Sequence, residues 1–372
     1  MFEEKPIGYS VSPTLVTSSV NSEGNAMNMN RLGHAAAGAV LLLASGTMVS
    51  GAASASAATS AACTWTRSVL AVPSGTRQSE VTATNHQGGF SGRAVLADGY
   101  WHGVSWRNGQ FIDYGTKVGD EPFTILPDET RSGTVLAGTG IAVPPYYGPS
   151  YAVLIKNGQA TKLVRPANNG FLRPLTINEN GDVTGRNMVR VDTQYVHRLL
   201  RWPADRPGQV IETVLPDKYE PEHADEDGTV LLRTPDGPAL WRNGTITPLA
   251  KISGAAGMFA TKISNGRVIG RVSYTSPYRS YGVLWDTDGV PRVLPKSSDT
   301  RAINRDGLIT GITDEATGGG EGIWRLGQFV HAVPKSPTHS MWLTVASDDG
   351  SVAGSTYNVN DGTGESFVLR CV

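Results

Sequence analysis

The chain predicts an all-β, seven-bladed β-propeller built from four-stranded antiparallel blades. Three observations lead there. One nine-residue unit is written three times, as "WRNGQFIDY" (106–114), "IKNGQATKL" (155–163) and "WRNGTITPL" (241–249). A second signature, Gly-x-Val-x-Gly or a close variant, recurs seven times along the chain. The composition, 44 glycines and 22 prolines among 372 residues with Val, Ile, Leu, Thr, Trp and Tyr in short runs, suits many strands joined by many turns.

Each nine-residue unit places a large apolar residue before Asn-Gly and alternating residues after it, which reads as strand, tight turn, strand. The glycine signature reads "NHQGGFSG" (85–92), "ETRSGTVLAG" (129–138), "NENGDVTG" (178–185), "DEDGTVLL" (225–232), "SNGRVIG" (264–270), "NRDGLITG" (304–311) and "SDDGSVAG" (347–354). The leading glycines, Gly88, Gly133, Gly181, Gly228, Gly266, Gly307 and Gly350, are spaced by 38 to 48 residues. Four short strands with their turns need about that length. An inner strand such as "PLTIN" (174–178) precedes the glycine turn and second strand. After a variable loop comes a third strand such as "YAVLI" (151–155) or "YGVLW" (281–285), then the outer strand. The third strands end on Trp106, Ile155, Trp202, Trp241, Trp285 and Trp324. Recurrence once per blade assigns this stripe to packing between blades rather than to a ligand platform.

The ends of the chain close the ring. The last unit stops at its third strand, "SFVLRC" (366–371), and "RSVLAVP" (67–73) is a strand without a blade, so joining them completes the seventh. The only two cysteines, Cys63 and Cys371, then face each other, and a disulfide is expected in an oxidising compartment, with two unpaired buried thiols as the alternative. Residues 1–62 read as a leader: Arg31, an apolar stretch from Ala35 to Ala44, and a small-residue tail with cleavage motifs at Ala55 and Ala57 form a secretory signal peptide. A retained anchor is the alternative, although the run falls short of the roughly 20 apolar residues that a span needs. Residues 1–26 lie upstream of the charged residue, which puts the expected start at Met27 or Met29. Residues 63–372 form the propeller.

These units resemble the bacterial extracellular repeat named for a His-Ala-Phe (HAF) tripeptide. "TRAINRDGLITG" (300–311) matches the first half of that repeat, and "HGVSW" (102–106), "YAVLI", "YGVLW" and "SFVLR" (366–370) carry degenerate forms of the tripeptide. The resemblance spans 64–372 and implies a secreted bacterial propeller. It brings no catalytic residue.

Function is therefore read from the loops. Turns between strands one and two and between three and four are short, so their face is not expected to hold a ligand. The opposite face collects the long connections, including "PPYYGPSY" (144–151) with Tyr147 and "YTSPYRSY" (274–281) with Tyr278. Reading upstream of each inner strand outlines the channel mouth, and the binding candidates there are Phe171, Arg173, Tyr219, Glu220, Asp299, Arg301 and Trp342. Aromatic and mixed-charge residues suit an extracellular polysaccharide or a protein ligand. A net charge of -1 gives no footprint for nucleic acid or an anionic membrane, and a closed ring without sticky edges is expected to be a monomer.

No catalytic motif, cofactor or metal is expected. His86, His102, His197, His223, His331 and His339 share no motif, and "DEDG" and "SDDG" read as strand turns rather than calcium loops. The reading is a secreted, non-catalytic binding propeller. The alternative is a polysaccharide lyase or glycoside hydrolase at the channel mouth, using Glu220 with Asp299, or His223 with Glu220 and Glu222.

Overall fold

The computed structural model describes residues 63–372 apart from 141, 144–145, 148–149 and 168–169. The expected leader lies outside the described residues. Seven antiparallel sheets follow in chain order, each running from an inner to an outer strand. Blade 1 comprises Gln78–Thr84, Phe90–Val95, Trp101–Arg107 and Gln110–Asp113. Blade 2 comprises Glu121–Glu129, Val135–Thr139, Tyr151–Lys156 and Gln159–Lys162, with the short Lys117–Val118 added at its inner edge. The inner strands of blades 3 to 7 are Phe171–Ile177, Glu220–Ala224, Gly257–Ser264, Ser297–Ile303 and His339–Ala346.

The seventh blade is the closure. Its outer strand is Trp65–Val69, paired antiparallel with Gly364–Cys371 from Trp65 opposite Cys371 to Val69 opposite Phe367. The strand begins two residues earlier than "RSVLAVP" suggests and ends at Val69. Cys63 and Cys371 are disulfide-bonded with their Cα atoms 5.4 Å apart, so the alternative of free thiols does not hold.

The core is distributed as seams between neighbouring blades rather than as one centre. Val81, Phe90 and Trp106 of blade 1 pack with Val345, Ala353 and Val368 of blade 7, and Leu136 and Ala152 of blade 2 pack with Leu172, Val183 and Trp202 of blade 3. The tryptophan stripe does what the repeat implies. Trp285 and Trp324 are fully buried, and the indole N–H of Trp106, Trp202, Trp285 and Trp324 donates to the carbonyls of Ala71, Val164, Ala250 and Pro295, at 2.7 to 2.9 Å. Each ring thereby pins a crossover that arrives from earlier in the chain.

The glycine signature serves two purposes. Its first glycine holds the turn, as Gly228 does at φ 81°. Its second lets the inner strand come close: a Cβ on Gly270 would stand 1.9 Å from the carbonyl oxygen of Phe259, and one on Gly354 1.9 Å from that of Trp342. The approach occurs where the inner strand bulges. All seven inner strands shift register there, and the residues that resume pairing are Ala83, Asp128, Thr176, His223, Lys262, Ala302 and Val345. A bulge turns the side chains that follow it. All seven of these residues line one chamber on the propeller axis.

Candidate functional site

At the loop-rich end, the structure gathers some of the expected binding residues and separates others. Arg301 and Trp342 share a cleft of about 320 Å³ between blades 6 and 7, with Glu321, His339 and Met341. Trp342 is 37% exposed. Phe171 and Arg173 share a second hollow, of about 240 Å³, with Thr124, Ile125 and Pro174. Arg173 stands opposite Arg186 on the adjacent strand, and burial together with that like charge lowers its pKa.

The remaining candidates stand apart from these clefts. Tyr219 is half-buried against the core of blade 4, and Tyr278 is an exposed residue at the start of the third strand of blade 5. Tyr147 lies in a short two-stranded pairing with its side chain outside the described residues.

The paired carboxylates are held by their own cations. Glu220 accepts from Arg186 at 3.3 Å and from Arg233 and faces His197 at 3.2 Å, while Asp299 faces Arg271 at 3.6 Å. His223, which the sequence allowed as a partner of Glu220, lines the axial chamber instead.

Glu321 escaped the sequence reading. It opens the third strand of blade 6 after a glycine run, where neighbouring units offer no carboxylate. Its side chain is 5% exposed, accepts the Leu343 N–H at 3.1 Å and faces Arg301 Nε at 3.5 Å. Burial pushes its carboxyl from 4.5 up to about 7; Arg301 and the Leu343 N–H oppose the rise and Asp299 adds to it. A folded value above the unfolded one means that the fold prefers the neutral acid. The stability it brings is complete below pH 4.5 and is lost as pH climbs to about 7. Glu321→Gln is therefore expected to abolish a loss of roughly 2–3 kcal/mol over that window. Thermal scans of parent and variant at pH 5 and pH 8 check it; parallel shifts in the two proteins would contradict it.

The short-turn end holds a second polar assembly, built from the residue two places before the leading glycine of each unit. Asp348 accepts from Arg131 at 2.8 Å and from the Arg305 N–H at 3.1 Å, and faces His86 at 3.6 Å. Arg305 also reaches Glu226 at 3.0 Å. Glu226 accepts the Glu179 N–H, and Glu179 in turn accepts the Arg131 N–H. These turns form an ionic clasp across the axis. Next to it lies the axial chamber of about 70 Å³, which the clasp residues His86, Arg305 and Glu226 help to line.

No family model matches the chain, and no curated protein is similar to it in sequence. Solved structures do share its fold. The acylaminoacyl peptidase of Pyrococcus horikoshii aligns with TM-score 0.50 and 12% identity over 74% of this chain and 50% of its own, so this chain spans half the length of that enzyme. A gluconolactonase from Xanthomonas campestris aligns with TM-score 0.42 and 12% identity over 83% and 90% of the two chains. AofleA from Arthrobotrys oligospora aligns with TM-score 0.36 and 13% identity over 73% and 91%. At 12% identity the likeness to the peptidase shows a shared fold and nothing finer.

Proposed function

We propose that this is a secreted propeller that binds an extracellular polysaccharide at its loop-rich end, with the cleft between blades 6 and 7 as the principal sugar subsite. The observation that carries this reading is the exposed indole of Trp342 beside Arg301 and Glu321 in one cleft. An indole gives a sugar ring a broad apolar contact while the guanidinium and carboxyl hydrogen-bond its hydroxyls. Phe171, Arg173 and Tyr278 offer further contacts around the rim. The disulfide and the resemblance to the HAF repeat both favour an extracellular setting.

Retention on a panel of insoluble wall and plant polysaccharides tests the reading. Trp342→Ala is expected to weaken retention about tenfold. The reading fails if no polysaccharide retains the parent, or if Trp342→Ala and Arg301→Ala are both retained as well as the parent.

Glu321 favours a second reading, a glycoside hydrolase in the same cleft. A carboxyl titrating at about 7 beside the charge of Asp299 is poised as a general acid. Release of reducing ends that disappears in Glu321→Gln, with retention preserved, would replace the binding-only reading.

A further inference from the structure

The axial chamber carries a pattern that packing does not require. Its seven equivalent positions, one from each inner strand just past the bulge, divide into two continuous arcs. Blades 6, 7 and 1 supply Ala302, Val345 and Ala83, and blades 2 to 5 supply Asp128, Thr176, His223 and Lys262. Three blades thus fill this position with small apolar residues, so the fold has no need of a polar one. Holding polar and charged groups in a confined chamber costs stability unless something pairs with them.

Most charges around the chamber are already engaged. Asp128 accepts the N–H groups of Ile177 at 2.9 Å and Glu129 at 3.0 Å, and Asp225 accepts those of Asn265 and Gly266 at 2.9 and 2.7 Å. Arg305, Glu226 and His86 belong to the ionic clasp. Lys262 differs. Among the described residues its ammonium has no hydrogen-bond partner and no carboxylate stands within salt-bridge distance; burial lowers its pKa, and the charge of Asp128 opposes that shift. Beside it His223 Nδ1 is buried without a partner, and the hydroxyls of Thr176 and Ser264 donate to nothing else among the described residues. Burial, reinforced by the charge of Lys262, pushes the His223 imidazole down to about 3 against the backbone groups of Ala224 and Ile263, so it stays neutral and adds no competing charge to the chamber. Asp128 and Lys262 both keep part of their surface exposed, because they face the chamber rather than a packed sheet.

From this geometry we infer that the axial chamber binds a small monocarboxylate, its carboxylate against Lys262 and Thr176 and its short apolar body against Ala302, Val345 and Ala83. The size agrees. A water needs roughly 10–15 Å³ of such space, so about 70 Å³ accepts a ligand of a few heavy atoms and excludes a sugar ring. The site is separate from the loop-end cleft, and neither reading depends on the other.

Titration calorimetry of the full chain with propionate, acetate and inorganic phosphate, at constant ionic strength set by chloride, tests the inference. Propionate binds saturably at one site per chain, more tightly than acetate, and phosphate does not compete. Lys262→Met weakens propionate at least tenfold, and Thr176→Val weakens it severalfold with the shape of the chamber kept. Thermal unfolding of each variant reports whether the propeller is intact, and Thr176→Val alone decides the matter if Lys262→Met does not fold. No saturable binding of either carboxylate by the parent overturns the inference, as does unchanged affinity in a folded variant. Phosphate bound as tightly as propionate would also overturn it, because the apolar arc would then contribute nothing.

Discussion

Cys371→Ser is expected to unfold roughly 5–15 °C below the parent in non-reducing thermal scans. The strand that completes blade 7 explains the size of the effect. Trp65–Val69 holds its place through five residue pairs, yet four of its five residues are exposed. It therefore contributes little apolar burial of its own, and only Trp65 and the following Leu70 reach the seams on either side. The disulfide joins residues separated by 308 positions, and the chain-entropy model assigns such a loop about 5–6 kcal/mol before strain or residual denatured structure is subtracted. Blades 1 and 7 still share a buried seam without that bond, but the outer strand is then held mainly by an exposed ladder, and fraying it frees the edge of Gly364–Cys371. Parent protein scanned with reductant should match the variant. A variant that melts with the parent would show that the ladder and the seam between blades 1 and 7 close the ring without the disulfide.

Much of this architecture was legible because each blade must solve the same local problems. A turn that needs positive φ selects glycine, and a third strand that must pin a crossover selects tryptophan, so both recur with the blade period. The missing outer strand and the two cysteines were legible for the same reason, since a ring has to close somewhere. The bulge was not. The second glycine of the signature could be seen, but the close approach of the inner strand that demands it exists only once the sheet has formed.

The channel residues were hidden for a related reason. Asp128, Thr176, His223 and Lys262 occupy one structural position, yet 39 to 48 residues separate successive members and no two share a chemistry. A period marks a position only when the same residue type returns to it. The turns at that end are short, which made their face look inert, although seven short turns converging on an axis concentrate charge more effectively than one long loop. At the opposite end the sequence puts the mouth residues just upstream of the inner strands, whereas Arg173, Asp299, Arg301 and Trp342 lie within them, and their pairing depends on cross-strand neighbours. Glu220 is saturated by Arg186, Arg233 and His197, two of which come from blade 3. Glu321 gave only a weak signal, a lone acid at the head of the strand EGIWR, and its raised pKa arises from burial against blade 7.

Asp348→Ala is expected to cost about 3 kcal/mol, or roughly 6–10 °C in a chain of this size, with a pH profile that identifies the cause. Asp348 sits in the turn of blade 7 and ties together blade 2 through Arg131, blade 6 through Arg305 and blade 1 through His86. Removing it leaves three cationic groups facing one another, with Glu226, Glu179 and Asp128 as the remaining anions nearby. Burial alone would raise the Asp348 carboxyl, but the nearby His86 and hydrogen bonds from the Arg305 N–H and Arg131 hold it far below the usual carboxylate range. Its stabilisation is therefore complete above the unfolded value near 3.8 and is lost as pH falls toward the folded one. His86 runs the other way. Burial would lower its pKa, yet the Asp348 carboxylate 3.6 Å away and the charges of Asp128 and Glu226 raise it, so its share is complete below 6.5 and is lost as pH rises through the folded value. The two windows overlap between pH 3.8 and 6.5, where the gap between parent and variant should be widest. Above it the gap should narrow without closing, because Arg131 and Arg305 stay charged. Scans from pH 3 to pH 9 measure this directly. A gap that is constant with pH would mean that the loss is one of packing, and a variant as stable as the parent would mean that the clasp adds nothing to the ring it spans.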